Sequence, residues 1–127
     1  MLKFILCLFV TSSFINFAVA DIAVIVNVNN TSSFNKNSIT KLFLGKSKKF
    51  TNGEKCIPID LTQGSLIATQ FRQSMINKTS SQLKAYWSKK IFTGKGKPPS
   101  QYESSALAKM FVQNNANAIG YIDESLG

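Results

Sequence analysis

The first twenty residues read as an address, and they decide how much chain remains to fold. Lys3 supplies a positive start, Phe4 to Val10 form an apolar run, and Ala18-Val19-Ala20 is the small-x-small pattern that signal peptidase cleaves. The mature chain is therefore expected to begin at Asp21, with residues 1–20 a signal peptide. The apolar run is too short to span a bilayer, and no later stretch is longer. These features predict a periplasmic or secreted protein, cleaved after Ala20, with no transmembrane segment in the mature chain. An uncleaved anchor is the weaker alternative. A lipoprotein built on Cys7 is weaker still, since Leu6 stands where a small residue is needed.

Removing residues 1–20 from 127 leaves 107, enough for one domain over 21–127 that buries a core without covalent staples. Cys7 leaves with the leader, so Cys56 is alone and forms no intrachain disulfide. Next to the strand-like Ile57-Pro58-Ile59, it is expected to pack as a small hydrophobe rather than to react.

The mature chain carries 14 basic and 6 acidic residues, which favours anionic partners. Thirteen of the basic residues are lysines and Arg72 is the only arginine, whereas nucleic-acid readers lean on arginine for bidentate contacts. Nucleic acid is not expected as a partner. No histidine occurs, which removes the commonest general base and metal ligand. Ser-His-Asp and Cys-His sets cannot be built, and the carboxylates are scattered. The expectation is no enzyme, no catalytic residues, no metal and no cofactor.

Along the chain, Ile22 to Val28 reads as a buried strand. A helix with Ile39, Leu42 and Phe43 on one face follows and stops at Gly45. Asn52-Gly53 centres a basic turn, and Ile57 to Leu61 is a second strand, with Pro58 starting it or edging the sheet. One helix opens near Ser65, with Ile67, Phe71, Ser74 and Met75 on its apolar side. Another, capped by Thr79 or Ser80, carries Leu83, Tyr86, Trp87 and Ile91 on a stripe. After the loop from Thr93 to Pro99, Ser104 caps a helix with Leu107, Met110 and Phe111 inward, and Ala118 to Ile122 is the last strand. The order β-α-β-α-α-loop-α-β predicts an α/β layer structure, a small sheet with flanking helices.

The turn from the second strand into the helix near Ser65 is the best local candidate for a site. Helix N-termini present unpaired amides, Gly64 permits close approach, and the Ser65 hydroxyl can donate to an oxyanion. The expected seat is Gly64, Ser65, Leu66 and Ile67, with Thr62 and Gln63 leading in. The commoner use of Ser65 or Thr62 at such a place is to cap the helix and nothing more. The basic glycine loop Thr93, Gly94, Lys95 and Gly96 is a secondary anion candidate. Neither it nor Gly45-Lys46-Ser47 has the spacing of a Walker A loop. Tyr86 and Trp87, at helical spacing, are expected in the core.

Several segments then line up with a known family. Ile39-Thr40-Lys41-Leu42-Phe43-Leu44-Gly45-Lys46, Gly53, Ile57-Pro58-Ile59, Gly64-Ser65 with Phe71, and Asn117-Ala118-Ile119-Gly120-Tyr121-Ile122 resemble the phosphate-binding proteins of bacterial phosphate ABC transporters. The block from Tyr86-Trp87-Ser88 to Ile91-Phe92-Thr93-Gly94-Lys95-Gly96-Lys97-Pro98-Pro99 is similar to a short family of phosphate-transporter substrate-binding-like proteins. The resemblance implies a type 2 periplasmic-binding-protein-like fold reduced to roughly one lobe. It implies phosphate or a related oxyanion as ligand, and a membrane transporter, a sensor, or a second lobe or protomer as partner. Two positions depart from the family. Gly64-Ser65-Leu66-Ile67 replaces Gly-Ser-Gly-Thr, and Asp60-Leu61 occupies the region of a preceding arginine. An exported oxyanion-binding domain is the leading expectation. The alternative is a periplasmic adaptor, sensor or interaction protein that kept the fold and lost the ligand.

Overall fold

The computed structural model describes residues 4–8, 12–17, 22–62 and 65–124, and it is built around the apolar run that begins at Ile22. That run forms strand β3 (Ile22–Asn27), buried at every position. A strand covered on both faces needs no polar alternation, which is why the run is continuous. It pairs antiparallel with β6 (Ala118–Asp123), setting Val24 opposite Tyr121 and Ile25 opposite Gly120. β6 pairs in parallel with β4 (Ile57–Leu61), and β4 in parallel with β5 (Ser100–Tyr102). The result is an α/β fold, a four-strand mixed open sheet in the order β3-β6-β4-β5 with flanking helices.

On the far edge of β3 the backbone of Phe4–Leu8 (β1) and Ser12–Phe17 (β2) adds two antiparallel strands. The expected cleavage point between Ala20 and Asp21 lies outside the described residues. Pro58 sits at the start of β4 opposite Ile119, and β4 is interior to the sheet, not at its edge. The missing N–H costs no ladder bond to β5, because that pairing begins only at Ile59.

Helix α1 (Lys36–Phe43) starts on a reciprocal cap between Asn35 and Ser38 and buries Ile39, Leu42 and Phe43, the expected face. Helix α2 (Leu66–Phe71) runs straight into a π-helical segment, Arg72–Ile76, which Asn77 ends in the left-handed conformation. Thr40 on α1 donates to the Met75 carbonyl at 2.6 Å, satisfying part of that widened turn. Helix α3 (Ser80–Phe92) opens on a Thr79–Gln82 capping box, and α4 (Ser105–Asn114) on Ser104.

Successive residues of a strand point to opposite faces, and β6 divides the core accordingly. Tyr121 stacks on Phe71 at 3.8 Å between ring centroids and meets Phe43 edge-on, so α1 and α2 cover that face. Gly120 points the other way, towards Val112 of α4.

Three expectations need correction. The inward face of α4 is Ala108 and Val112 with Phe111 half-buried, while Leu107 and Met110 are exposed. Side-chain size misled here, because the rotation of α4 is fixed by contacts to the sheet. Val112 seats over Gly120, and the buried Asn27 amide donates to the Val112 and Gln113 carbonyls at 2.9 and 3.1 Å, capping orphan groups of the last turn. On α3, Trp87 is buried but Ile91 is exposed, since the helix reaches beyond the sheet. β5, only three residues long, lies between the expected loop Thr93 to Pro99 and the Ser104 cap, where no element is expected.

The contact at Gly120 can be tested directly. A Cβ there would lie 2.8 Å from Ile59 Cγ1, so Gly120→Ala must displace the Ile59 side chain or β4 with it. The variant is expected to lose about 1–3 kcal/mol in denaturant unfolding. An unchanged midpoint would mean that the β4–β6–α4 spacing is not set at this position.

Candidate functional site

The chain's one arginine lies inside the fold. Arg72 is the first residue of the π-helical segment and only 3% exposed. It falls on the stripe of Ala68, Met75 and Ile76, an apolar neighbourhood in which a guanidinium must find partners. Its Nη2 donates to Asp60 Oδ2 at 3.0 Å and to the Leu61 carbonyl at 3.2 Å. Asp60 Oδ1 in turn accepts from the Leu61 amide at 2.8 Å and from the Tyr121 hydroxyl. Burial, with the Asp60 charge and this bond behind it, drives the Tyr121 phenol far above its ordinary range, so it remains a donor.

Both carboxylate oxygens therefore have donors, and the guanidinium keeps nitrogens without acceptors. Among the described residues, neither Nε nor Nη1 of Arg72 has an acceptor, though both are buried. An orphaned charged donor of this kind costs more than an ordinary missing hydrogen bond. Arg72 and Asp60 line a cleft of about 220 Å³ with Lys84 and Ser88 of α3, Trp87, Pro98, Pro99 and Gln101. A void of about 10 Å³, roughly one water in size, lies against the same two residues, Leu83 and Trp87. The cleft thus has the Arg72–Asp60 pair in its lining, with two guanidinium nitrogens left over, an ammonium on its wall, and room for an anion of several heavy atoms. It lies at the C-terminal end of β4, the side of an open α/β sheet where ligands gather.

The expected seat is placed differently. Ser65 caps α2, its hydroxyl accepting from the Ala68 amide at 3.1 Å. Leu66 is 74% exposed, and Ile67 is half-buried against the core. Thr62 donates its amide to the Tyr102 carbonyl, extending the β4–β5 pairing. Gln63 and Gly64 lie outside the described residues. Of the seat residues that are described, none lines the Arg72 cleft.

The secondary loop is split. The Thr93 hydroxyl donates to the Lys89 carbonyl at 2.9 Å, closing the end of α3, and Gly94 turns the chain at a φ of +70°. Lys95 and Gly96 line a second cleft on the other flank of Trp87, together with Cys56.

Sequence reasoning missed the pairing of Arg72 with Asp60. One signal was available: the only arginine of a lysine-rich chain falls at i+4 from Ala68 and i−4 from Ile76, on the stripe that is buried. Asp60 carried no such mark, since nothing in a strand announces a partner twelve residues on. Cys56 is a free, buried thiol as expected, and desolvation pushes its pKa up to about 12. Among the described residues no cluster of three metal-ligating side chains occurs, and no helix is long and apolar enough to cross a membrane.

The Cys56 environment gives a pH dependence of known sign. An unfolded thiol ionises near its ordinary value of 9.0, while the folded one keeps its proton to about 12. The thiol's contribution is therefore whole below about pH 9 and is lost as pH rises through that window, by at most about 1.4 kcal/mol per pH unit. Thermal melts from pH 8 to 11 should fall less steeply for Cys56→Ala than for the parent. Parallel slopes would mean that the thiol is not desolvated.

No family model matches the chain, and no curated protein or solved structure matches it either, so function rests on the geometry.

Proposed function

We propose that this chain is an exported solute-binding-like domain that holds phosphate or a related oxyanion without chemistry, possessing a type 2 periplasmic-binding-protein-like fold reduced to about one lobe. The observation that carries this reading is the unsatisfied guanidinium of Arg72 at the base of the 220 Å³ cleft. Arginine's rigid fork matches an oxyanion, and two of its three nitrogens wait for an acceptor. Lys84 adds a second positive charge, and Ser88 a hydroxyl donor. The seat is thus a buried arginine, and the helix end at Ser65 lies outside it.

Two variants test the reading by titration calorimetry with phosphate, with sulfate as control. Ser88→Glu changes an exposed residue of the cleft wall and puts a fixed negative charge there. It should weaken binding at least about tenfold without moving the melting temperature. Arg72→Lys keeps the charge and loses the fork, and should also weaken binding, with its fold checked by circular dichroism. No saturable heat with the parent protein, or equal affinity in Ser88→Glu, would remove the Arg72 seat.

A second observation bears on the partner. Cleavage after Ala20 would take β1 and β2 away and open the edge of β3, a strand with no charge or proline to guard it. Such an edge invites another strand. A second protomer pairing there antiparallel would join two sheets and supply the missing lobe. Protein purified from exporting cells should begin at Asp21 by mass spectrometry and sediment as a dimer. A processed monomer would leave β3 to a different partner, and a mass that includes Met1 would remove the export reading.

A further inference from the structure

The second cleft, about 210 Å³, lies on the flank of Trp87 away from Ser88, and five lysines line it. Lys48 and Lys55 come from the turn before β4, Lys90 from the last turns of α3, and Lys95 and Lys97 from the glycine loop. Five of the thirteen lysines downstream of the leader thus converge on one small volume from three separate stretches of chain. No carboxylate lines the cleft, and among the described residues none of the five is held in an ion pair. The Lys48 ammonium donates to the Lys95 carbonyl at 3.4 Å, tying two walls together, and Lys90 lies 5.4 Å over the Tyr86 ring. The floor is apolar, made by the end of α1, the start of β4 and Trp87.

Lysines scattered for solubility alone would be interleaved with acids or spread apart. Here like charges crowd a concave surface, which raises the local concentration of an anion and is relieved only by one of matching charge. A single phosphate would neutralise two of the five. A linear phosphoryl chain carries more charge, spreads it along its length, and suits ammonium groups, which act as mobile point charges. We infer that this lysine-rimmed cleft is a second anion site, distinct from the Arg72 cleft, whose ligand is an oligophosphate chain of three or more phosphoryl groups. The chain could be free or the tail of a nucleotide, since the chemistry recognised is the same.

Trp87 is the only tryptophan and lines the cleft, so its fluorescence reports on occupancy. The purified protein is titrated with inorganic tripolyphosphate, and separately with a nucleoside triphosphate. Saturable binding of tripolyphosphate is expected. The double variant Lys48→Gln with Lys95→Gln, both at exposed positions, should weaken it at least about tenfold at an unchanged melting temperature. Equal affinity for the two ligands assigns recognition to the phosphoryl chain alone. Tighter nucleotide binding adds a ring on the apolar floor. Unsaturable binding, or unchanged affinity in the double variant, overturns the proposal. Ser88→Glu separates the two sites, since it should weaken phosphate and leave tripolyphosphate alone. If it weakens both, and the lysine variant weakens neither, the Arg72 cleft takes both anions and the second site falls.

Discussion

The Arg72–Asp60–Tyr121 junction ties together the three parts of the fold that share no sequence neighbourhood. Asp60 belongs to β4, Arg72 to the π-helical segment and Tyr121 to β6. Each supplies what another lacks. The carboxylate needs donors, the guanidinium an acceptor, and the phenol a place for a proton that burial will not let it lose. Removing one member of a buried ion pair typically costs about 3–5 kcal/mol, because the other charge is stranded. The junction also sets the register of what lies above it. Arg72 reaches the Leu61 carbonyl where β4 ends, so the π-helical segment stays docked at the sheet end where the cleft opens.

The aromatic layer beneath explains how a charge survives there. Phe71 is stacked on Tyr121 with ring planes 5° apart, and Phe43 meets both edge-on. That layer positions the Tyr121 hydroxyl at the Asp60 carboxylate. A regular α-helix continued from Phe71 would carry the residues after it through a tighter turn. The π-helical widening changes their direction by one residue's worth of rotation, and the Thr40 hydroxyl on α1 meets a carbonyl it frees. Such widenings cost hydrogen-bond quality and are frequent at functional sites, which agrees with the cleft lying beside this one.

Much of this fold was legible because burial writes itself as periodicity. β3 and the Ile39–Leu42–Phe43 face of α1 are patterns of many residues that only one element satisfies. What was not legible rests on single residues and long-range partners. Ala108 is the buried centre of α4, yet a small residue carries little weight in any hydrophobic pattern. Asn27 is one polar residue inside the expected strand Ile22 to Val28, and nothing local shows that its amide caps a helix 85 residues away. β5 is three residues of unremarkable polarity, held by its pairing with β4. The two candidate seats differ in what announces them. Ser65 carries a local signal, a hydroxyl at a helix start, where it accepts from the Ala68 amide and keeps its own proton to donate. Arg72 had no local signature beyond being a lone arginine on an apolar stripe.

Trp87 and Pro99 line both clefts, so the two share a wall. Trp87 is 8% exposed, with Gly45 held so close that a Cβ there would lie 3.3 Å from its ring. Gly96 of the lysine loop is its neighbour on one flank, and Arg72 and Asp60 line the space on the other. A ligand that displaces this ring from one side reshapes the other side as well. Where that happens, the coupling is reciprocal by thermodynamic necessity, so either order of binding changes the second affinity by the same factor.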